Sequence, residues 1–244
     1  MNVNRLTFVV YLGLLSACST PYRVSKTQVT NIRVQADSLQ LYDTATANMI
    51  APYKQQLDAQ MKEVIGVADQ TLTKELPDGC LGNMVADACL SYAVKVYPQQ
   101  VDFCILNNGG IRIPSIQQGS ITVEKIYELM PFDNMVEVVE ISGEKCLELF
   151  TWIAKNKGVP VSGVQLTLNQ GNPTEITIQG VPFNSKKTYH VATTDFLSNG
   201  GDGLTMLADG KRFTTNYKLR DAIIAYIKSN QHLKANNNGR IKQN

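Results

Sequence analysis

The sequence predicts an α+β domain in which mixed β-sheets pack with helices. Three features predict it. Segments of helical and strand periodicity alternate through much of the chain, and strand-like segments then cluster. Val101–Leu106 is an almost unbroken apolar run, as expected of a central strand covered on both faces. Val164–Leu168 and Glu175–Gln179 alternate apolar and polar residues around Asn169-Gln170-Gly171-Asn172-Pro173, a hairpin signal.

The 244 residues are 43% hydrophobic and 18% charged, a globular balance with room for one large core. Lys and Arg number 23 against 21 acidic residues, so a net charge of +2 offers no basic field for nucleic acid. Arg5 precedes an apolar run, Leu6–Leu15, of signal-peptide length and too short to span a bilayer. The run closes on Leu15-Ser16-Ala17-Cys18, which resembles a bacterial lipobox. Residues 1–17 are therefore expected to be a lipoprotein signal peptide, with Cys18 acylated and residues 18–27 a polar tether. Residues 28–230 form the expected domain, and a polar, frayed tail follows over 231–244.

Within the domain, Val29, Ile32 and Val34 suggest a short strand. Met49, Tyr53, Leu57, Met61 and Val64 recur at helical steps, predicting an amphipathic helix over about 47–63 with Pro52 near its start. Ile65–Thr71 reads as a strand, and Leu81–Val96 as a second helix stopped by Pro98. Thr122 can cap a short helix running to Met130. Met135–Ile141 alternates Val with Glu, the pattern of a half-exposed strand. Ser142-Gly143 then opens a helix whose apolar stripe is Cys146, Leu149, Phe150 and Ile153. Tyr189–Thr193 reads as a strand and Leu219–Ile227 as a closing helix. Cys80, Cys89, Cys104 and Cys146 show no C-x-x-C pairing. An exported chain could join some of them, but burial as small apolar side chains is expected of most.

Catalytic machinery is scarce. His190 falls in a strand pattern and His232 in the tail, no G-x-S-x-G elbow occurs, and neither H-E-x-x-H nor H-x-H is present. Neither a serine triad nor a zinc or two-metal phosphoesterase centre can be assembled from this inventory.

Binding chemistry is better supplied. Leu106–Arg112, Met130–Asn134 and Asp195–Gly203 are polar or glycine-rich loops at the edges of predicted elements. They hold two aromatic rings, an arginine, several side-chain amides and a carboxylate, which suits a flat heteroaromatic ligand carrying a sugar. Phe132 and Phe196 could stack on a base or simply pack into the core. Arg112 could bind ligand oxygens or form a surface ion pair. Asp202 could accept from ribose hydroxyls or shape an Asp-Gly turn, while Asn107, Asn108 and Asn134 could read base edges or hold turns.

Together and in this order, Asn107-Asn108-Gly109-Gly110-Ile111-Arg112, Gly119-Ser120-Ile121-Thr122, Met130-Pro131-Phe132-Asp133-Asn134 and Phe196-Leu197-Ser198-Asn199-Gly200-Gly201-Asp202-Gly203 resemble the C-terminal domain of the 5'-nucleotidase family. Gly82-Asn83 and Val161-Ser162-Gly163 are weaker landmarks, and the resemblance covers about Val29 to Ile227. It implies a nucleotide- or nucleoside-binding role. Phe132 and Phe196 would sandwich the base, Asn107 and Arg112 contact base or ribose, and Asn134 meet the base edge. Asp202 would take the ribose hydroxyls, and Gly163 would lie against the base through its backbone. No cofactor is expected in this chain. The divalent metals would belong to a metallophosphoesterase domain, here expected as a separate partner chain, so that the two form a split 5'-nucleotidase in the bacterial envelope, lipid-anchored and facing the periplasm or the surface. Two departures stand out: only Lys74 precedes the Gly-Asn landmark where the family usually has an arginine, and Asn108 replaces a usual glycine. The rival expectation is a non-catalytic family member serving as an envelope binding or scaffold lipoprotein.

Overall fold

The computed structural model describes residues 23–31, 43–236 and 239–243. The expected signal peptide, Cys18 and the Ile32 and Val34 positions of the first strand lie outside the described residues. The chain divides into Met1–Ile50 and Ala51–Asn244. In the first unit, residues 23–31 are exposed and irregular, and the start of helix α1 (Thr44–Met61) is capped by Asp43, whose Oδ1 accepts from the Ala45 amide at 3.0 Å.

α1 departs from expectation. Its periodicity predicts a buried stripe, yet none of its residues is buried, and Met49, Tyr53 and Leu57 are exposed. Periodicity sets which residues share a face, and of this stripe only Met61, half-buried, packs against the core.

In the second unit the central element is a mixed five-stranded sheet ordered β12-β6-β11-β3-β7, built from Lys211–Lys218, Met135–Ser142, Thr188–Thr194, Phe103–Ile105 and Val161–Ser162. β11 runs antiparallel to β6, with Thr194 opposite Val136, and parallel to β3, with Ala192 opposite Cys104. The C-terminal ends of β3 and β11 and the N-terminal end of β6 therefore share one edge. Three loops leave the sheet there side by side.

The period of two in strands divides these residues between two cores. Val136, Val138, Cys104 and Ala192 enter one core with helices α2 (Cys80–Val96) and α7 (Leu219–Asn230). Val139, Ile141, Phe103 and Val191 enter the other with α4 (Gly143–Lys155). β6 is thus not the half-exposed strand that its Val/Glu alternation predicts. It has a neighbour on each side, and Glu137 is buried with its carboxylate accepting from Ser198 Oγ and, at 2.7 Å, from Thr214 Oγ1. β3 is shorter than the predicted run, although Val101 and Leu106 are also buried. Thr122 and Ser142 cap α3 (Val123–Leu129) and α4 as their types predict, each hydroxyl accepting from the third amide onward at 3.3 Å.

A second sheet, β10-β9-β8-β14, contains the predicted hairpin. β8 (Val164–Asn169) and β9 (Asn172–Ile178) are joined by Gln170-Gly171, both at positive φ (49° and 77°), as a type I′ turn requires. β10 is Val181–Pro182. Smaller sheets order as β13-β1-β5, with β1 Val64–Ala68 and β5 Gly119–Thr122, and as β2-β4, from Leu72–Thr73 and Ser115–Ile116. All four described cysteines are free and buried, as expected of small apolar side chains.

The described part of the tail is not frayed. β13 (His232–Leu233) pairs parallel to β1, and β14 (Ile241–Gln243) pairs parallel to β8. Leu233 and Ile241 are its two core anchors, hidden among polar residues too sparse to show a period. Arg240 is buried between them, its two terminal nitrogens each 2.8 Å from an Asp87 oxygen and one of them 2.7 Å from the Val161 carbonyl. Removing one partner of such a pair leaves a buried charge unpaired. Asp87→Asn, which leaves the buried Arg240 guanidinium without its counter-ion, is therefore expected to lower the unfolding free energy in urea by about 2–3 kcal/mol, whereas the carboxylate left by Arg240→Ala is partly solvated and its charge costs less.

Candidate functional site

The three loops at the shared sheet edge converge on one slot. Asn107, Gly109, Gly110, Arg112, Phe132, Asn134, Phe196 and Asp202 line it, around an open volume of about 270 Å³. Six of the seven binding residues expected from the sequence are among them.

From β3 the chain enters a 3₁₀ turn at Asn108–Gly110, and the Arg112 amide then donates to the Leu129 carbonyl at 2.9 Å. That bond ties the first loop to the end of α3. The Arg112 guanidinium donates to the Gly109 carbonyl at 3.1 Å and lies over the Phe132 ring, 5.6 Å from its centroid. Lys74 donates to the Ile111 carbonyl at 2.9 Å. Burial, and then repulsion from the Arg112 guanidinium, holds its ammonium below the usual lysine range.

The second loop, Met130–Asn134, is organised by Arg220, which the sequence reading missed. Its guanidinium is buried and donates to the carbonyls of Met130, Pro131 and Phe132 at 3.2, 3.1 and 3.3 Å. It also reaches Asp133 Oδ1 at 2.5 Å and sits 4.1 Å from the Tyr127 ring centroid. Lys218, then Arg220, hold the Asp133 carboxyl below its ordinary range. The signal was present: Arg220 shares the apolar stripe of α7 with Ile223 and Ile227, where an arginine needs partners of its own; its terminal nitrogens have them, and Nε has none among the described residues.

The third loop begins with the short helix α5 (Asp195–Ser198), where the Asp195 carboxylate accepts from the Phe196 amide at 2.8 Å. Gly200, Asp202 and Gly203 follow at φ 88°, 54° and 80°. A Cβ on Gly201 would lie 2.6 Å from the Phe196 ring and 2.5 Å from its carbonyl, so only glycine lets the ring come this close to the turn. Asp202 faces back across the slot and accepts from Asn107 Nδ2 at 2.6 Å.

Gly163 lies outside this slot. It occupies the β7–β8 corner at φ 79°, where a Cβ would meet Gln179 Nε2 at 2.6 Å and the Asp102 carbonyl at 2.8 Å. It lines a different depression with Gln179 and Arg240. Its glycine reflects the turn. Asn108, an open case in the sequence, turns away to donate to the Gly158 carbonyl at 3.0 Å.

Neither histidine lines the slot: His190 Nε2 is 3.2 Å from Glu140, and His232 Nδ1 is 2.8 Å from Asp69. Among the described residues no group of three His, Cys, Asp or Glu side chains could hold a metal ion.

Phe132 and Phe196 are 43% and 44% exposed, which separates them from the core phenylalanines. Phe132→Ala and Phe196→Ala are expected to change unfolding stability in urea by about 1 kcal/mol or less, whereas Phe150→Ala should cost about 3–5 kcal/mol.

With that geometry in hand, the comparisons are informative. The family described as "5'-nucleotidase, C-terminal domain" matches residues 59–209, more than half of the chain. An apyrase from Tabanus yao is 30% identical over 213 residues, covering 74% of this chain and 38% of its own. A 5'-nucleotidase from Vibrio cholerae is 25% identical over 215 residues, covering 84% and 38%. Among solved structures, the 5'-nucleotidase precursor from Thermus thermophilus aligns with a TM-score of 0.71 at 28% identity, over 82% of this chain and 43% of that one. The chain spans less than half the length of these relatives. The mixed-sheet α+β architecture agrees with that neighbour, and the chain belongs to the 5'-nucleotidase family through its C-terminal domain.

Proposed function

We propose that this chain is the nucleotide- or nucleoside-recognition half of a split 5'-nucleotidase-type hydrolase. The observation that carries the reading is the convergence of two exposed phenyl rings, Arg112, two amides and a carboxylate on one open slot. Phe132 and Phe196 stack on the base, Asn134 reads its edge, Asn107 and Arg112 contact base or ribose, and Asp202 accepts from ribose hydroxyls. Arg112 and Lys74 add positive charge near the slot, which favours a phosphorylated ligand.

Bond cleavage belongs to a separate metallophosphoesterase chain that carries the divalent metals. The donor set of this chain supports that division, since the slot holds one carboxylate and neither histidine nor cysteine. Its contribution is to orient the substrate for the partner's metals. Calorimetric titration with adenosine, AMP and uridine nucleotides tests the reading. Binding is expected, and Phe132→Ala or Phe196→Ala should each weaken it about 5- to 150-fold, from roughly 1–3 kcal/mol per stacked base. With divalent metal added, the lone chain should leave AMP intact. Absence of binding with the partner present, or rapid hydrolysis by this chain alone, would refute the proposal.

The place of action proposed is the bacterial envelope, through acylation of Cys18. No helix among the described residues is long and apolar enough to cross a membrane. Cys18→Ser is expected to move the protein from the membrane fraction to the soluble one. Unchanged fractionation would refute the anchor.

A further inference from the structure

The turn that presents Asp202 has little of its own to hold it. Three residues of Gly200–Gly203 are left-handed, and the turn's backbone bonds are Gly200 to Leu197 at 3.0 Å, Gly203 to Gly200 at 3.2 Å and Leu204 to Gly201 at 3.1 Å, none of them made by Asp202 itself. Side chains hold Asp202 from two directions. On the slot side Asn107 donates to its carboxylate. On the other side Trp152, the only tryptophan in the chain, donates its indole N–H to the Asp202 carbonyl at 3.1 Å. Trp152 stands on α4, a helix buried through Cys146, Leu149, Phe150 and Ile153, so its indole is a fixed post. It lines a separate groove of about 510 Å³ with Leu147, Gly203 and Met206, so the turn is a thin wall between that groove and the slot.

The two restraints differ in what a ligand does to them. A hydroxyl that binds the Asp202 carboxylate shares or replaces the bond that Asn107 makes to it. The indole bond, made to the backbone from behind, persists. We infer that Trp152 is a positioning residue that sets the carboxylate of Asp202 for the ribose hydroxyls, an assignment that rests on the nucleoside reading above. Trp152 does not line the slot, so it acts on the sugar through Asp202 and leaves base stacking alone.

The test compares adenosine with 2',3'-dideoxyadenosine, which keeps the base and lacks both hydroxyls. Trp152→Phe preserves the aromatic packing and removes only the donor. In the purified full chain its Kd for adenosine should rise about two- to tenfold, the net worth of one neutral hydrogen bond, with the Kd for the dideoxy ligand unchanged. Asp202→Asn should reproduce that selectivity. Equal loss for both ligands, or for neither, overturns the inference. Should the variant fail to fold, the emission of Trp152 in the wild-type chain decides: adenosine should shift it and the dideoxy ligand should not, and identical responses overturn the assignment. Failure of the wild-type chain to bind either ligand would sink the nucleoside reading itself, and this inference with it.

Discussion

Strands β6, β11 and β3 are neighbours, and their pairing register decides where three distant loops emerge. Because Thr194 faces Val136 and Ala192 faces Cys104, the chain leaves β3 and β11, and enters β6, at one edge of the sheet. Loops far apart in the sequence are thereby brought into contact range, as the Asn107–Asp202 bond across 95 positions records. The register itself is enforced by burial. Each of these strands feeds alternate side chains into two cores, so a slip of one residue would exchange both sets and bury Glu137 and Glu140 in the wrong places. The slot is in this sense a consequence of packing on both faces of the sheet.

Register brings the loops together but does not turn two phenyl rings toward water. Complete burial of each would be worth about 1.5–3 kcal/mol, so something must hold them out. For Phe132 that agent is Arg220. A buried guanidinium is costly unless its donors find partners, and here three successive backbone carbonyls and Asp133 meet its terminal nitrogens, with Nε alone lacking a partner among the described residues, while the Phe132 side chain projects from the loop. For Phe196 it is the close approach of the ring to Gly201, backed by Ser198 and its bond to the buried Glu137 carboxylate. Two unrelated devices therefore produce the same exposure at one slot.

How much of this was legible in the sequence follows from the range of each signal. Helices α2, α4 and α7 could be read because their apolar stripes repeat locally, and the β8–β9 hairpin because Gln170-Gly171 is a local turn chemistry. The three loops stood out as glycine- and amide-rich segments at strand ends, but assigning Phe132 and Phe196 to a ligand rather than to the core came from the resemblance to the 5'-nucleotidase C-terminal domain. What failed depended on partners. The stripe of α1 says which face is apolar but not that another surface covers it. The Val/Glu alternation of β6 reads as half-exposed, whereas Ser198 and Thr214 make burial of Glu137 tolerable. Gly163 carries a glycine for its own corner, and in one dimension that is indistinguishable from a glycine kept for a ligand. The tail joins two sheets through only Leu233 and Ile241, too few for any periodicity, with Arg240 supplying the rest through contacts far away in sequence.

The state of the polar groups constrains what a ligand could gain. Without ligand, Asn107 already satisfies Asp202, and Arg112 is already occupied by the Gly109 carbonyl and the face of Phe132. A nucleoside must exchange these bonds for its own, and exchange of one hydrogen bond for another contributes little net free energy. The polar residues therefore act mainly as a filter, penalising a ligand that displaces Asn107 from the carboxylate and offers no hydroxyl in return. The favourable surplus has to come from the two rings, whose exposed faces have no competing partner other than Arg112 and water. On the proposed nucleoside reading, affinity and selectivity thus fall to different residues of the same slot, and substitutions at Phe132 or Phe196 should lower binding of every base-bearing ligand while those at Asp202 change the ranking among sugars.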